Sequence, residues 1–142
     1  GRHVAVLIDD TYNANPDSMR AAISVLASAA GLRLLVIGDM GELGPDAAAM
    51  HAQVGECARE AGISRLFTLG MLSKQATVTF GDGARHFERI DELLAAIEEL
   101  LAPQVTMLVK GSRFMQMERV IKAFEIAADA DTALPTGVHQ CC

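Results

Sequence analysis

Two carboxylates, a phenol and two carboxamides crowd into one short run, Asp9-Asp10-Thr11-Tyr12-Asn13-Ala14-Asn15-Pro16. It follows an apolar stretch, Val4-Ala5-Val6-Leu7-Ile8, that reads as a buried strand, and it precedes a helical pattern starting at Pro16. In open α/β sheets, ligands bind where strands end and helices begin. Asp10, Tyr12, Asn13 and Asn15 are therefore candidates for holding a polar ligand. Part of the run also has a structural explanation. Asn15 suits an N-cap, Pro16 suits the first helical position, and Asp17 favours the positive end of the helix dipole. Capping accounts for neither Asp10 nor Asn13, whereas the Asn15 side chain can serve either purpose.

A second constellation closes another apolar run. Val105-Thr106-Met107-Leu108-Val109 leads into Lys110-Gly111-Ser112-Arg113. Lys110, Ser112 and Arg113 are donors for a phosphate or carboxylate, and the helix that follows adds its dipole. Ser112 has a second reading as a helix cap. A lysine ending an apolar strand is expensive to bury unless it is paired or used. A third polar turn, Gly38-Asp39-Met40-Gly41-Glu42-Leu43-Gly44, follows the run Leu34-Leu35-Val36-Ile37. Its glycines do not follow the dinucleotide fingerprint, and its carboxylates would repel a pyrophosphate. Asp39 and Glu42 are suited to ordering neighbouring backbone or an incoming ammonium. His51 shares a helical stripe with Ala47, Val54 and Gly55, and reads either as a satisfied core histidine or as a catalytic group. No Gly-x-x-x-x-Gly-Lys-Ser/Thr phosphate loop occurs anywhere in the chain, so a triphosphate cradle has to come from elsewhere.

The elements that position these turns follow from periodicity. Strands are expected at residues 4–8, 34–37, 65–69, 85–87 and 105–109. Helical spacing links Met19, Ala22, Ile23 and Leu26; then Met50, Val54, Cys57 and Ala58; then Ile90, Leu93, Leu94, Ile97 and Leu101, with Asp91 as cap; then Val120, Ile121 and Phe124 in a helix beginning near Arg113. A weaker helix is expected over residues 72–78. This alternation predicts a three-layer α/β sandwich: a Rossmann-like, mostly parallel sheet of five to six strands flanked by helices. The parallel strands would bring all three polar turns to one edge. Residues 1–128 are expected to form the domain and residues 129–142 a loose tail, where Pro135 and Gly137 interrupt the pattern. The first strand begins almost at once, as in a piece of a longer protein.

Bulk properties narrow the function. The 142 residues fit one core, 51% are hydrophobic and only 4% aromatic, so the core is aliphatic. A net charge of −6 argues against nucleic acid as partner. No segment is long enough for a membrane span and none reads as a signal peptide. The methionines at helical spacing read as core, as does Cys57. His139, Cys141 and Cys142 are poor grounds for a metal site, and no metal ligand set is expected. The cytoplasm is the simplest compartment.

Taken together, residues 9–18, residues 38–44, His51 with Val54-Gly55, and Val109-Lys110-Gly111-Ser112-Arg113-Phe114-Met115-Gln116-Met117-Glu118 resemble the C-terminal domain of the Mur ligases, in order and at family-like spacing over residues 4–125. That resemblance implies a three-domain, ATP-dependent amide ligase of peptidoglycan precursor synthesis. ATP, with Mg2+, phosphorylates the carboxylate of a UDP-MurNAc-tripeptide, and the amine of D-Ala-D-Ala attacks the acyl phosphate. The first and last motifs favour D-Ala-D-Ala as the amine. The resemblance puts Asp10 near the nucleotide ribose, with Tyr12, Asn13 and Asn15 on the nucleotide-facing loop. It puts Lys110, Ser112 and Arg113 near the dipeptide or acyl phosphate, with Asp39 and Glu42 on the substrate side. Lys110 and His51 are the candidate catalytic groups. The N-terminal and central domains, which would hold ATP and Mg2+, are expected partners, and the chain alone is expected to be inactive. The alternatives are another Mur or folylpolyglutamate-type ligase, a receiver-like phosphoacceptor domain, and a non-catalytic binding module.

Overall fold

Apolar runs that end in glycine or a charged residue become strands, and the amphipathic stretches between them become helices. The computed structural model describes residues 6–10, 14–131 and 138–140, with side chains over residues 14–124. The elements are β1 (Val6–Asp10), α1 (Pro16–Ala27), β2 (Leu32–Gly38), a 3-10 turn (Gly44–Asp46), α2 (Ala47–Glu60), β3 (Arg65–Leu69), α3 (Lys74–Phe80), β4 (Ala84–Phe87), α4 (Ile90–Leu100), β5 (Val105–Lys110), a second 3-10 turn (Arg113–Met115), α5 (Glu118–Asp131) and β6 (Val138–Gln140).

The strands form one parallel sheet in the order β4-β3-β2-β5-β1-β6. Right-handed crossovers then dictate the layers. From β1 through β4 the chain moves in one direction across the sheet, so α1, α2 and α3 share a face. From β4 back to β5, and on to β6, it moves the other way, so α4 and α5 take the opposite face. The core divides accordingly. Leu35, Ile37, Leu66 and Leu108 pack with α1, α2 and α3. Leu34, Val36, Phe67, Met107 and Val109 pack with α4 and α5. Alternate residues of one strand thus enter opposite cores, which is why these strands read as unbroken apolar runs.

Local signals set the helix ends. Asn15 Oδ1 accepts the Ser18 N–H at 2.9 Å while the Asn15 N–H donates to Ser18 Oγ at 3.0 Å, a complete capping box with Pro16 at the first helical position. The weaker helix expected over residues 72–78 is α3, set slightly later. Two boundaries differ from expectation. Arg89, not Asp91, is the N-cap of α4; Asp91 lies in its first turn and pairs with Arg89. The helix expected from Arg113 is split into a 3-10 turn and α5, because Gln116 adopts a left-handed conformation between them. The segment expected as a loose tail contributes β6, which pairs with β1 from Leu7↔Val138 to Asp9↔Gln140. Periodicity could not find a strand of 3 residues.

Candidate active site at the carboxyl edge of the sheet

The strand order creates a crevice at one position. β5 lies between β2 and β1, and its following helix packs on the opposite face from theirs. Loops that leave adjacent parallel strands toward opposite faces open a gap at the carboxyl edge. The loops after β2 and β5 flank this gap. A cleft of about 620 Å³ lies there, its walls including Met40, Glu42, Leu43, Leu72, Arg113 and Phe114.

A set of backbone hydrogen bonds shapes the cleft. The Ser112 N–H donates to the Asp39 carbonyl at 3.1 Å, and the Gly41 N–H donates to Ser112 Oγ at 2.6 Å. Ser112 thus stands at the start of the 3-10 turn without capping it; its side chain joins the β5 loop to the β2 loop. The Phe114 ring lies against Gly41: an added Cβ would come within 2.9 Å of the ring in its present position. Asp39 is buried, and its carboxylate accepts the Ser73 N–H at 2.7 Å and the Leu72 N–H at 3.1 Å. Of its two expected roles it performs the ordering of backbone. Gly70 makes room for it, with φ at +113° and the Asp39 carboxylate where a Cβ would sit.

His51 is fully buried on α2. Its Nε2 accepts the Met40 N–H at 2.9 Å, which leaves Nδ1 as the protonated nitrogen, donating to the Ala47 carbonyl at 2.7 Å. With both nitrogens committed to backbone and no exposed surface, His51 is not placed to meet a substrate. His51 therefore holds backbone beside the cleft and does not face it.

The remaining expected residues fall as follows. Lys110 ends β5 with Asp10 and Ile37 as its Cα partners on either side. It is completely buried, on the α1 side of the sheet by alternation with Val109, and so lies beside the cleft rather than in its wall. Glu42 and Arg113 are exposed on the cleft walls with opposite charges, Glu42 in a left-handed turn conformation. Asn15 spends its carbonyl oxygen on the cap. Asp10 is described by its backbone alone, at the carboxyl end of β1, and Tyr12 and Asn13 lie outside the described residues. Sequence reasoning assigned no role to Phe114 or Leu72. Phe114 carried a signal, an aromatic ring in a polar turn beside Arg113; Leu72 carried none.

A family model described as "Mur ligase, glutamate ligase domain" matches residues 2–113. The chain belongs to the Mur ligase family. Among its relatives, the UDP-N-acetylmuramoyl-tripeptide–D-alanyl-D-alanine ligase of Escherichia coli is 46% identical over 122 residues, covering 84% of this chain and 27% of that protein. The enzyme of the same name from Bacillus subtilis is 35% identical over 125 residues, covering 82% and 27%. A crystal structure of MurF from Acinetobacter baumannii superposes with a TM-score of 0.74 at 34% identity, covering 80% of this chain and 26% of that one. This Mur ligase chain therefore spans about a quarter of the length of the curated relatives it matches.

Two further features of the Mur ligase domain lie outside the cleft. A cavity of similar size opens at the opposite, amino edge of the sheet between Arg65, Asp82, Arg85 and Glu99, where Arg85 stacks over Phe67 and Phe87. At the outer carboxyl corner, Thr68 Oγ1 and His86 Nδ1 share a hydrogen bond of 2.7 Å. Burial, followed by the nearby charge of Lys74, holds the His86 pKa below its ordinary value, against smaller opposing effects of Glu88 and Asp39. Among the described residues, no group of three or more His, Cys, Asp or Glu is arranged to hold a metal ion, and no helix is long and apolar enough to cross a membrane.

Proposed function

We propose that this chain is the C-terminal domain of an ATP-dependent amide ligase that joins D-Ala-D-Ala to UDP-MurNAc-tripeptide, closing over an active site shared with N-terminal and central domains. The observation that carries this reading is the meeting of the β2 and β5 loops at one cleft, with the β1 carboxyl end beside it. The names of the relatives at 46% and 35% identity support the choice of substrates.

In the reaction, the tripeptide carboxylate attacks the γ-phosphorus of ATP, giving an acyl phosphate and ADP. The D-Ala-D-Ala amine then attacks the acyl carbon, expelling phosphate and losing a proton. Arg113 and the Ser112 hydroxyl suit the dipeptide carboxylate or the acyl phosphate oxygens. Glu42, exposed on the cleft wall, suits the incoming ammonium. Lys110, buried beside the cleft at the end of β5, adds positive potential toward the phosphoryl group. Asp10 is assigned to the ribose hydroxyls, with Tyr12, Asn13 and Asn15 toward the base. The triphosphate, with its Mg2+, is assigned to the central domain, since this chain has no phosphate loop. Closure of the domain would exclude water from the acyl phosphate. The cytoplasm, where ATP and nucleotide-linked precursors meet, is the proposed compartment.

The test is ligation by the full-length protein, comparing D-Ala-D-Ala with single amino acids as acceptor. Turnover with the dipeptide alone is expected; equal or better use of a single amino acid would reassign the domain to another ligase. Purified residues 1–142 are expected to show neither ATP hydrolysis nor ligation.

A further inference from the structure

His51 is buried, and its hydrogen bond to the Met40 N–H reaches the cleft wall. We propose that His51 is a positioning residue for the dipeptide side of the site, acting through Met40. This rests on the reading that Ser112 and Arg113 receive the dipeptide.

Met40 is fully buried, so its N–H needs a protein acceptor, and His51 Nε2 is that acceptor. The next N–H along the chain, that of Gly41, holds Ser112 Oγ, and the preceding carbonyl, that of Asp39, holds the Ser112 N–H. Successive backbone groups at 39, 40 and 41 are therefore gripped from opposite sides: by α2 through His51, and by the β5 loop through Ser112. A free Met40 N–H would let this stretch rotate, and Ser112 would lose its orientation. The histidine is itself held by the Ala47 carbonyl one helical turn earlier, which fixes both the tautomer and the ring plane. His51 thus acts on the cleft without touching it.

The two ring nitrogens can be tested separately in the full-length protein. Glutamine can replace the Nε2 acceptor; asparagine can replace the Nδ1 donor but cannot reach Met40. H51N is expected to raise KM for D-Ala-D-Ala by about tenfold, with kcat within about threefold and KM for the UDP-tripeptide within about twofold. H51Q is expected to stay within about threefold of the parent in all three. A purely structural role for the histidine would lower the active fraction, hence kcat, and leave KM alone. Amide exchange gives a readout independent of the substrate. In H51N, exchange should accelerate in both 38–44 and 110–116, and in H51Q in neither. Parent-like KM and exchange in H51N, equal damage by H51Q, or acceleration confined to α2 would overturn the proposal. If the parent enzyme does not use D-Ala-D-Ala, the functional reading fails, while the exchange measurement still decides whether His51 holds the loop.

Discussion

Gly41 and Ser112 lie 71 positions apart in the chain, yet the Gly41 N–H donates to Ser112 Oγ at 2.6 Å. This bond, with that from the Ser112 N–H to the Asp39 carbonyl, joins the loops after β2 and β5 into one rim. The cleft exists because two loops leaving toward opposite faces are tied only at their bases.

Ser112→Ala removes the acceptor and leaves the part-buried Gly41 N–H without its partner. A loss of about 1–2 kcal/mol in stability is expected, together with weaker D-Ala-D-Ala binding. Thermal melting and steady-state KM of the full-length enzyme report the two effects. An unchanged KM would remove Ser112 from the dipeptide site while leaving its structural role.

Asp39→Asn tests whether that carboxylate works as a backbone anchor. The amide offers one oxygen where two N–H groups, of Leu72 and Ser73, converge on two oxygens. One donor is then left facing an NH2 group, and a cost of about 1–3 kcal/mol follows. The loss should show as lower melting temperature and faster amide exchange at 70–74. A variant with full stability but no ligation would instead mark Asp39 as substrate-binding.

Glycine substitutions along the rim should differ in severity. Gly70→Ala places a methyl 2.5 Å from Asp39 Oδ1 at a φ of +113°, so both strain and overlap oppose it, and a loss above about 2 kcal/mol is expected. Gly41→Ala meets the Phe114 ring at 2.9 Å, but that ring is 63% exposed and can swing outward. Gly41→Ala should therefore alter the cleft more than the stability. Comparative melting of the two variants checks the order.

His86 predicts a dependence on pH. Its pKa in the folded chain lies below 6.5, because burial and Lys74 disfavour the imidazolium. As pH falls through about 6.5 the unfolded chain takes up the proton first, so stability declines from there until pH passes the lower folded value. Above that window His86 contributes no slope. Melting temperature of the parent should fall more steeply between about pH 7 and pH 5 than that of His86→Gln. Parallel curves would show that His86 is not the group responsible.

Much of the fold was legible because its signals are local. Glycine and charge closed the apolar runs at 38 and 110, and Asn15-Pro16-Asp17 announced a helix start that the structure reproduces, with Ser18 completing the capping box. The parts that were not legible had weak or misplaced local signals. β6 is too short for periodicity to register, and the break at Gln116 depends on a non-glycine residue adopting a left-handed conformation.

The amino-acid sequence alone determined the element types, the aliphatic two-faced strands and the polar turns at strand ends, since each depends only on neighbours along the chain. Tertiary structure decided what those polar groups do. Asp39 serves residues 33 and 34 positions away, Ser112 reaches across to Gly41, and His51 has one tautomer because Met40 requires an acceptor. The Asp39 partners meet only once β3 lies beside β2, and Ser112 reaches Gly41 only once β5 pairs with β2 on its other side. Strand order arises from crossovers and long-range packing that no local pattern encodes.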